Sequence, residues 1–389
     1  FAQIDLAELR RYADLGVDLA QGSGSMRAWV DMRRASVTGA TADLALDGVR
    51  VTLSTQLEPL ALRGVSGRLG ARALDGGLEV STQALQFQTE DGLHWPGGNV
   101  RLSLVDGDGR KPARGELAAD RLDLAAMAQI AQRLPLPDAM RAHLQQLAPK
   151  GLVEQVQASW QGPRENPDRF QAKGRVAGLE MTARAPQDGG LVPGLRGVDL
   201  DFDLNQSGGK ATVALMDGRI DVPGVFDDPS LPFDQLNTDV QWKRDGPRIS
   251  LSLTNLRFRN ADAQGEAQLR WQAADTPTGT SASAYPGLLD LQGSLSRADG
   301  TRVYRYLPLG IPQETRDYLR DALVAGSATG VRFKVKGNLD DFPYTTPKQG
   351  DFRISADVHN ATLAYVPPGL LPKDSLQWPA LTQLSGELV

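Results

Sequence analysis

The stretch Tyr306–Gly326, YLPLGIPQETRDYLRDALVAG, has an earlier counterpart at Arg133–Gly151, RLPLPDAMRAHLQQLAPKG. Both carry Leu-Pro-Leu, a further proline, an Arg-x-x-Leu (Arg316 to Leu319, Arg141 to Leu144) and a terminal glycine. Each copy predicts one short helix. In the later copy Pro312 suits a first helical position, where a missing N–H costs nothing, and Gly326 suits a left-handed residue past the last turn. Tyr318, Leu319, Ala322 and Leu323 fall at helical spacing, which leaves Glu314, Arg316, Asp317, Arg320 and Asp321 facing water.

The segments after the two glycines repeat as well. Val331, Phe333 and Val335 alternate with Arg332, Lys334 and Lys336, as Val156, Ala158 and Trp160 alternate with polar neighbours. Phe170 to Pro186 then tracks Phe352 to Pro368. The chain reads as a helix-plus-strands repeat of roughly a hundred residues used at least twice. This divides it into an N-terminal helix and strand segment over 1–114, a first full repeat over 115–288, and a second over 289–389.

Outside the two copies, period-two alternation dominates: Val49, Val51 and Leu53; Leu78 and Val80; Leu85 and Phe87; Val100, Leu102 and Leu104. The clearest strand is Val198–Asn205, with Val198, Leu200, Phe202 and Leu204 on one face and Asp199, Asp201 and Asp203 on the other. Residues 1–20 read as a weak amphipathic helix broken at Gln21–Ser25. Asp75–Gly77 and Asp106–Gly109 read as hairpin turns, and 275–287 as a mobile loop.

Forty-one glycines and 24 prolines in 389 residues suit many strands and turns. A net charge of -5, with the cations interleaved among Asp and Glu, argues against nucleic acid as a partner. With no cysteine, disulfides, zinc-thiolate sites and thiol catalysis are excluded. The chain opens at Phe1 and stops within a strand-like pattern, which reads as a piece of something longer.

Catalytic constellations are lacking. His94, His143 and His359 have no metal-ligand spacing, Gly22-Ser-Gly24 lacks the rest of a phosphate loop, and Asp106 and Asp108 lack the remainder of a calcium loop. No enzyme activity and no cofactor is expected. The Asp199, Asp201, Asp203 row reads as a solvated face before it reads as a cation site.

Many one-sided strands and about four short helices pose a packing problem, because an apolar strand face must be set against something. Either two sheet walls close as a sandwich or one curved sheet stays open around an apolar occupant. Open sheets of such length are unusual, so the residues alone favour the sandwich.

The motifs themselves resemble a known family. Tyr306-Leu-Pro308 with Pro312, Tyr318-Leu319, Ala322-Leu323 and Gly326, followed by Lys336-Gly337, Leu339 and Asp341-Phe-Pro343, resembles the YhdP branch of the AsmA-like superfamily. Trp378-Pro379-x-Leu381 and Leu384-x-Gly386-x-Leu388 do so too, as do Trp29-Val30 and Ala42–Val51. The resemblance implies a mainly β chain forming an elongated, curved antiparallel groove with a few short helices as caps. It further implies a periplasmic part of a protein anchored in the inner membrane of a Gram-negative envelope by a segment outside this chain. Phospholipids, the inner and outer membranes and envelope proteins are the partners it implies. On that reading the lining residues are Val198, Leu200, Phe202, Leu204, Ile249, Leu251, Leu253, Val331, Phe333, Val335, Phe352 and Ile354. The same positions suit a closed core, and a non-conducting β-sandwich scaffold is the rival reading.

Overall fold

The computed structural model of the protein describes residues 4–9, 18–163, 166–184, 191–246, 248–274, 287–370 and 376–389. The chain divides into two units, Phe1–Met181 with Asp201–Gln206, and Thr182–Leu200 with Ser207–Val389. Most of the expected loop at 275–287 lies outside the described residues.

The first unit contains strands Ile4–Asp5 (β1), Asp18–Arg33 (β2), Ser36–Thr52 (β3), Leu60–Leu74 (β4), Gly77–Thr89 (β5), His94–Trp95 (β6), Val100–Val105 (β7), Arg114–Asp123 (β8), Lys150–Gln161 (β9) and Arg169–Met181 (β10). Each pairs antiparallel with its neighbour in the chain, except that the short β6 lies beside β5 and lets β5 pair directly with β7. Strand Gly194–Asn205 (β11) divides between the units, Val198 and Leu200 falling in the second and Phe202 and Leu204 in the first.

The second unit continues with Gly208–Asp221 (β12), Ser230–Asp245 (β13), Arg248–Arg259 (β14), Ala263–Gln272 (β15), Leu288–Asp299 (β16), Leu323–Asn338 (β17), Gly350–Leu363 (β18) and Leu381–Leu388 (β19), again paired in chain order. Each unit is therefore an open antiparallel meander. Among the described residues the facing sheets of a sandwich, which the residues alone favoured, do not form.

Helices enter at strand ends. Leu6–Leu9 (α1), Leu124–Ile130 (α2) and Asp138–Leu147 (α3) belong to the first unit, and Gln313–Ala322 (α4) to the second. Asp123 caps α2 by accepting the Ala126 N–H at 2.9 Å. At the matching place in the later copy, Asp299 accepts the Thr301 N–H at 2.9 Å and opens a 3-10 turn, Gly300–Tyr306. Both caps satisfy a backbone donor that a helix start would otherwise leave bare.

Bulges bend the strands. Ala84, Gln155, Asn255 and Asn360 all adopt positive φ, between 47° and 55°, where the ladder register slips. An extra residue at such a point turns the strand and raises its twist. It also moves the apolar phase by one, so Leu251 and Leu253 give way to Leu256 and Phe258 on the same face.

Four local expectations are corrected. Of the expected helix over 1–20, the described residues hold only Leu6–Leu9, and Gln21–Ser25 lies within β2 instead of breaking the chain. Gly22 and Gly24 keep it extended at φ 144° and 148°, and a Cβ on Gly24 would sit 2.3 Å from the Ala45 carbonyl oxygen, so only glycine lets β2 and β3 approach there. Gly326 does not end a helix: α4 stops at Ala322, and Gly326 lies within β17 at φ 130°. Its counterpart Gly151 lies within β9 at φ 128°. Arg316, expected in water, is buried.

Gly326→Ala tests the close approach. The new Cβ would lie 2.7 Å from the Ala361 Cα on the neighbouring strand, and the backbone conformation is strained for any L side chain. The variant is expected to lose more than about 1 kcal/mol, read as a lower midpoint in urea; an unchanged midpoint would show that β17 and β18 part there freely.

Candidate functional site

Register turns the alternation of single strands into rows. In the first unit Val30, Ala40, Ala71, Val80, Leu102, Leu117, Ala158 and Ala172 are successive cross-strand partners from β2 to β10. One residue over, Arg72, Glu79, Ser103, Glu116, Ser159 and Gln171 form an equally regular polar row on the opposite face. Side chains alternate across a strand, so antiparallel pairing in this register separates an apolar face from a polar one throughout.

The apolar face is covered at one margin. Leu46, Val49 and Val51 of β3 and Leu60, Leu62 and Val65 of β4 pack with Leu6 of α1 and Ile130 of α2. Towards the other end of β4 and on the flanking strands β2 and β5 exposure rises: Leu46 is 5% exposed, whereas Leu69, Leu78 and Val80 reach 37–45% and Val30 56%. These side chains leave this stretch of the apolar face open to water.

The second unit repeats the arrangement. Ala211, Val240, Leu253, Leu269, Leu291, Val335 and Phe352 are successive partners from β12 to β18, and Leu256, Ala267, Gly293, Phe333 and Ile354 form the next apolar row. Leu251 belongs to a third row with Trp242, Trp271 and Leu289, and Ile249 shares its face two residues earlier. Of the residues singled out from the sequence, Leu253, Val335, Phe352, Phe333 and Ile354 are thus brought side by side. Val198 and Val331 are buried, at 1% and 7% exposure, Phe352 is 45% exposed, and the others are half-buried. The Phe202 ring lies against Gly174, where a Cβ would come within 3.2 Å of it.

Sequence reasoning did not place Leu269, Trp271, Leu289 and Leu291 of this face among the lining residues, nor any of the row of the first unit, although Val80, Leu102 and Ala158 there were read as one-sided strand positions. Their signal was the same period-two alternation. Their membership was hidden by register, which a single strand does not carry.

Polar locks hold the helical segments to the strand ends. Asn260 and Asp262 are buried in the turn between β14 and β15. The Tyr306 hydroxyl donates to Asp262 at 3.0 Å and accepts from the Asn260 amide at 2.9 Å. Arg305 pairs with Asp262 at 2.6 Å and Asp228 at 3.1 Å. From α4, Arg316 meets both Asp227 oxygens, at 2.9 and 3.2 Å, and donates to the carbonyls of Leu309 and Ile311. The earlier copy replaces Tyr306 with Arg133, which reaches Asp91 at 3.3 Å; the buried Thr89 hydroxyl donates to the same carboxylate. Different residues thus do one job, anchoring the cap at a carboxylate in a strand-end turn.

Polar-face groups make ordinary ion pairs. Arg68 grips Asp43 through two hydrogen bonds, at 2.6 and 3.0 Å, and this holds the Asp43 carboxyl below its usual range. Asp201 lies 3.5 Å from Arg175, in keeping with a solvated row. Among the described residues no group of three or more His, Asp or Glu could hold a metal ion, and no helix is long and apolar enough to cross a membrane.

The family model described as YhdP protein matches the chain over residues 1–389, so the chain belongs to that family. No curated protein and no solved structure matches it.

Burial, with the Asp262 charge acting against the Asn260 donor, pushes the Tyr306 phenol up to about 12. The folded state keeps its proton more tightly than the unfolded chain, whose phenols ionise near their ordinary pKa of about 10. The contribution is therefore whole below about pH 10 and lost as pH rises towards about 12. Unfolding followed across that window should show a fall in stability that is shallower in Tyr306→Phe; equal slopes would place the phenol in water. Arg316→Ala removes donors from two carbonyls and should cost about 1–3 kcal/mol, seen as faster hydrogen exchange over 313–322.

Proposed function

We propose, from the premise that this chain belongs to the YhdP family, that it is a periplasmic segment of an inner-membrane-anchored protein that moves phospholipids between the inner and outer membranes along its apolar β faces. The observation that carries the reading is the registered apolar face of each unit, which in the first unit is covered by helices at one margin and exposed at the other.

The energetics suit such a role. Bringing a chain of about 16 carbons into water costs on the order of 12 kcal/mol at roughly 0.8 per CH₂. Rows such as Leu253, Leu269, Leu291, Val335 and Phe352 offer apolar contact that offsets most of that cost. Headgroups stay in water, and since no covalent bond changes, the role asks for neither catalytic residue nor cofactor. Leu256, Leu289 and Trp271 join the lining residues named from the sequence on this face.

Organic extraction of the gently purified chain, with mass spectrometry of the extract, tests the reading. Stoichiometric phospholipid is expected. An extract free of lipid would favour a non-conducting envelope scaffold. A second measurement addresses the face itself: Phe333→Asp or Ile354→Asp sets an unpaired charge among acyl chains at a cost of several kcal/mol. Both variants should fold but carry little lipid, and wild-type loading in both would remove this face from the path.

A further inference from the structure

At the strand ends away from α4 the second unit carries a notch of about 440 Å³, lined by residues from both faces of the sheet. Leu251, Trp271 and Leu289, from the apolar rows, contribute to its wall. From the polar side Lys243, Arg270 and Lys336 also line it, with Asp290. Arg270, Asp290 and Lys336 are consecutive cross-strand partners on β15, β16 and β17, so they stand about 4.8 Å apart from strand to strand. The single carboxylate is already engaged, since Lys336 holds Asp290 at 3.1 Å. Among the described residues neither Lys243 nor Arg270 forms an ion pair, although Asp290, held by Lys336, is the cross-strand neighbour of Arg270. Leu288, 44% exposed, sits on the rim between them and the strand ends.

Two cations outside any ion pair, beside exposed Leu288 and half-buried Trp271, match an amphiphile with an anionic head. We infer that this notch seats the phosphate-bearing headgroup of an anionic phospholipid whose acyl chains lie on the adjoining apolar rows. The inference rests on the reading of the apolar face as a lipid path and adds a substrate preference to it. The arginine fork suits a phosphate oxygen pair, and the lysine adds a point charge that a zwitterionic head, carrying its own cation, gains less from.

The test loads the chain from vesicles containing equal amounts of phosphatidylglycerol and phosphatidylcholine, then quantifies the bound lipid by class. The wild-type chain is expected to enrich phosphatidylglycerol, by roughly fivefold for each unpaired cation. Lys243→Ser with Arg270→Ser, which leaves the apolar rows intact, should carry the same total lipid at the ratio of the vesicles. If the double variant keeps the wild-type ratio, the notch does not select headgroups, while the lipid path stands. If the wild-type chain loads no lipid of either class, the path itself falls, and the headgroup site with it. Titration with inorganic phosphate separates the sources of the anion: binding of phosphate alone, with no headgroup preference in the loading experiment, would make this a site for the free ion and overturn the assignment.

Discussion

Everything in this protein depends on strands that are apolar on one side only and paired so that the apolar sides coincide. A slip of one residue between two neighbours would send Val80 or Leu102, partners across β5 and β7, to the wrong side. The bulges act within that constraint. At Asn255 one residue is added and the apolar run resumes as Leu256 and Phe258 without leaving the face. Bending and face fidelity are thus obtained together, from one residue in an unusual backbone conformation.

The covered margin shows why the helices are few and short. They need to shield only one end of the strands, and they do so partly by hydrophobic packing, as Leu6 and Ile130 show. The remainder is done by charge. Asp262, Asp227 and Asp91 lie in turns at strand ends, and Tyr306, Arg305, Arg316 and Arg133 reach them from the helical segments. A polar lock suits this position, because turns carry backbone groups that need partners and leave little apolar area for a helix to grip. The Arg316 guanidinium serves two such carbonyls while holding a carboxylate.

At the opposite margin of the first unit the apolar face stays exposed. Rows that include exposed Val30, Val80 or Phe352 keep apolar side chains in contact with water. In the second unit the strand ends away from α4 also gather cations. Apolar rows and cations thus lie close together at this end of the second unit.

The sequence by itself determined the strand-rich class, the sidedness of each strand and the paired helical copies, because alternation and proline-glycine punctuation are local properties of the chain. Gly151 and Gly326 were legible as a matched pair, although their role in holding two strands close was not. Three things were decided only in the tertiary structure: which strands lie side by side, that Arg316 is buried on Asp227, and that the apolar faces stay open instead of closing into a sandwich. Each depends on groups far apart in the chain meeting at a given register, and the energy of those meetings is absent from any stretch of residues taken alone.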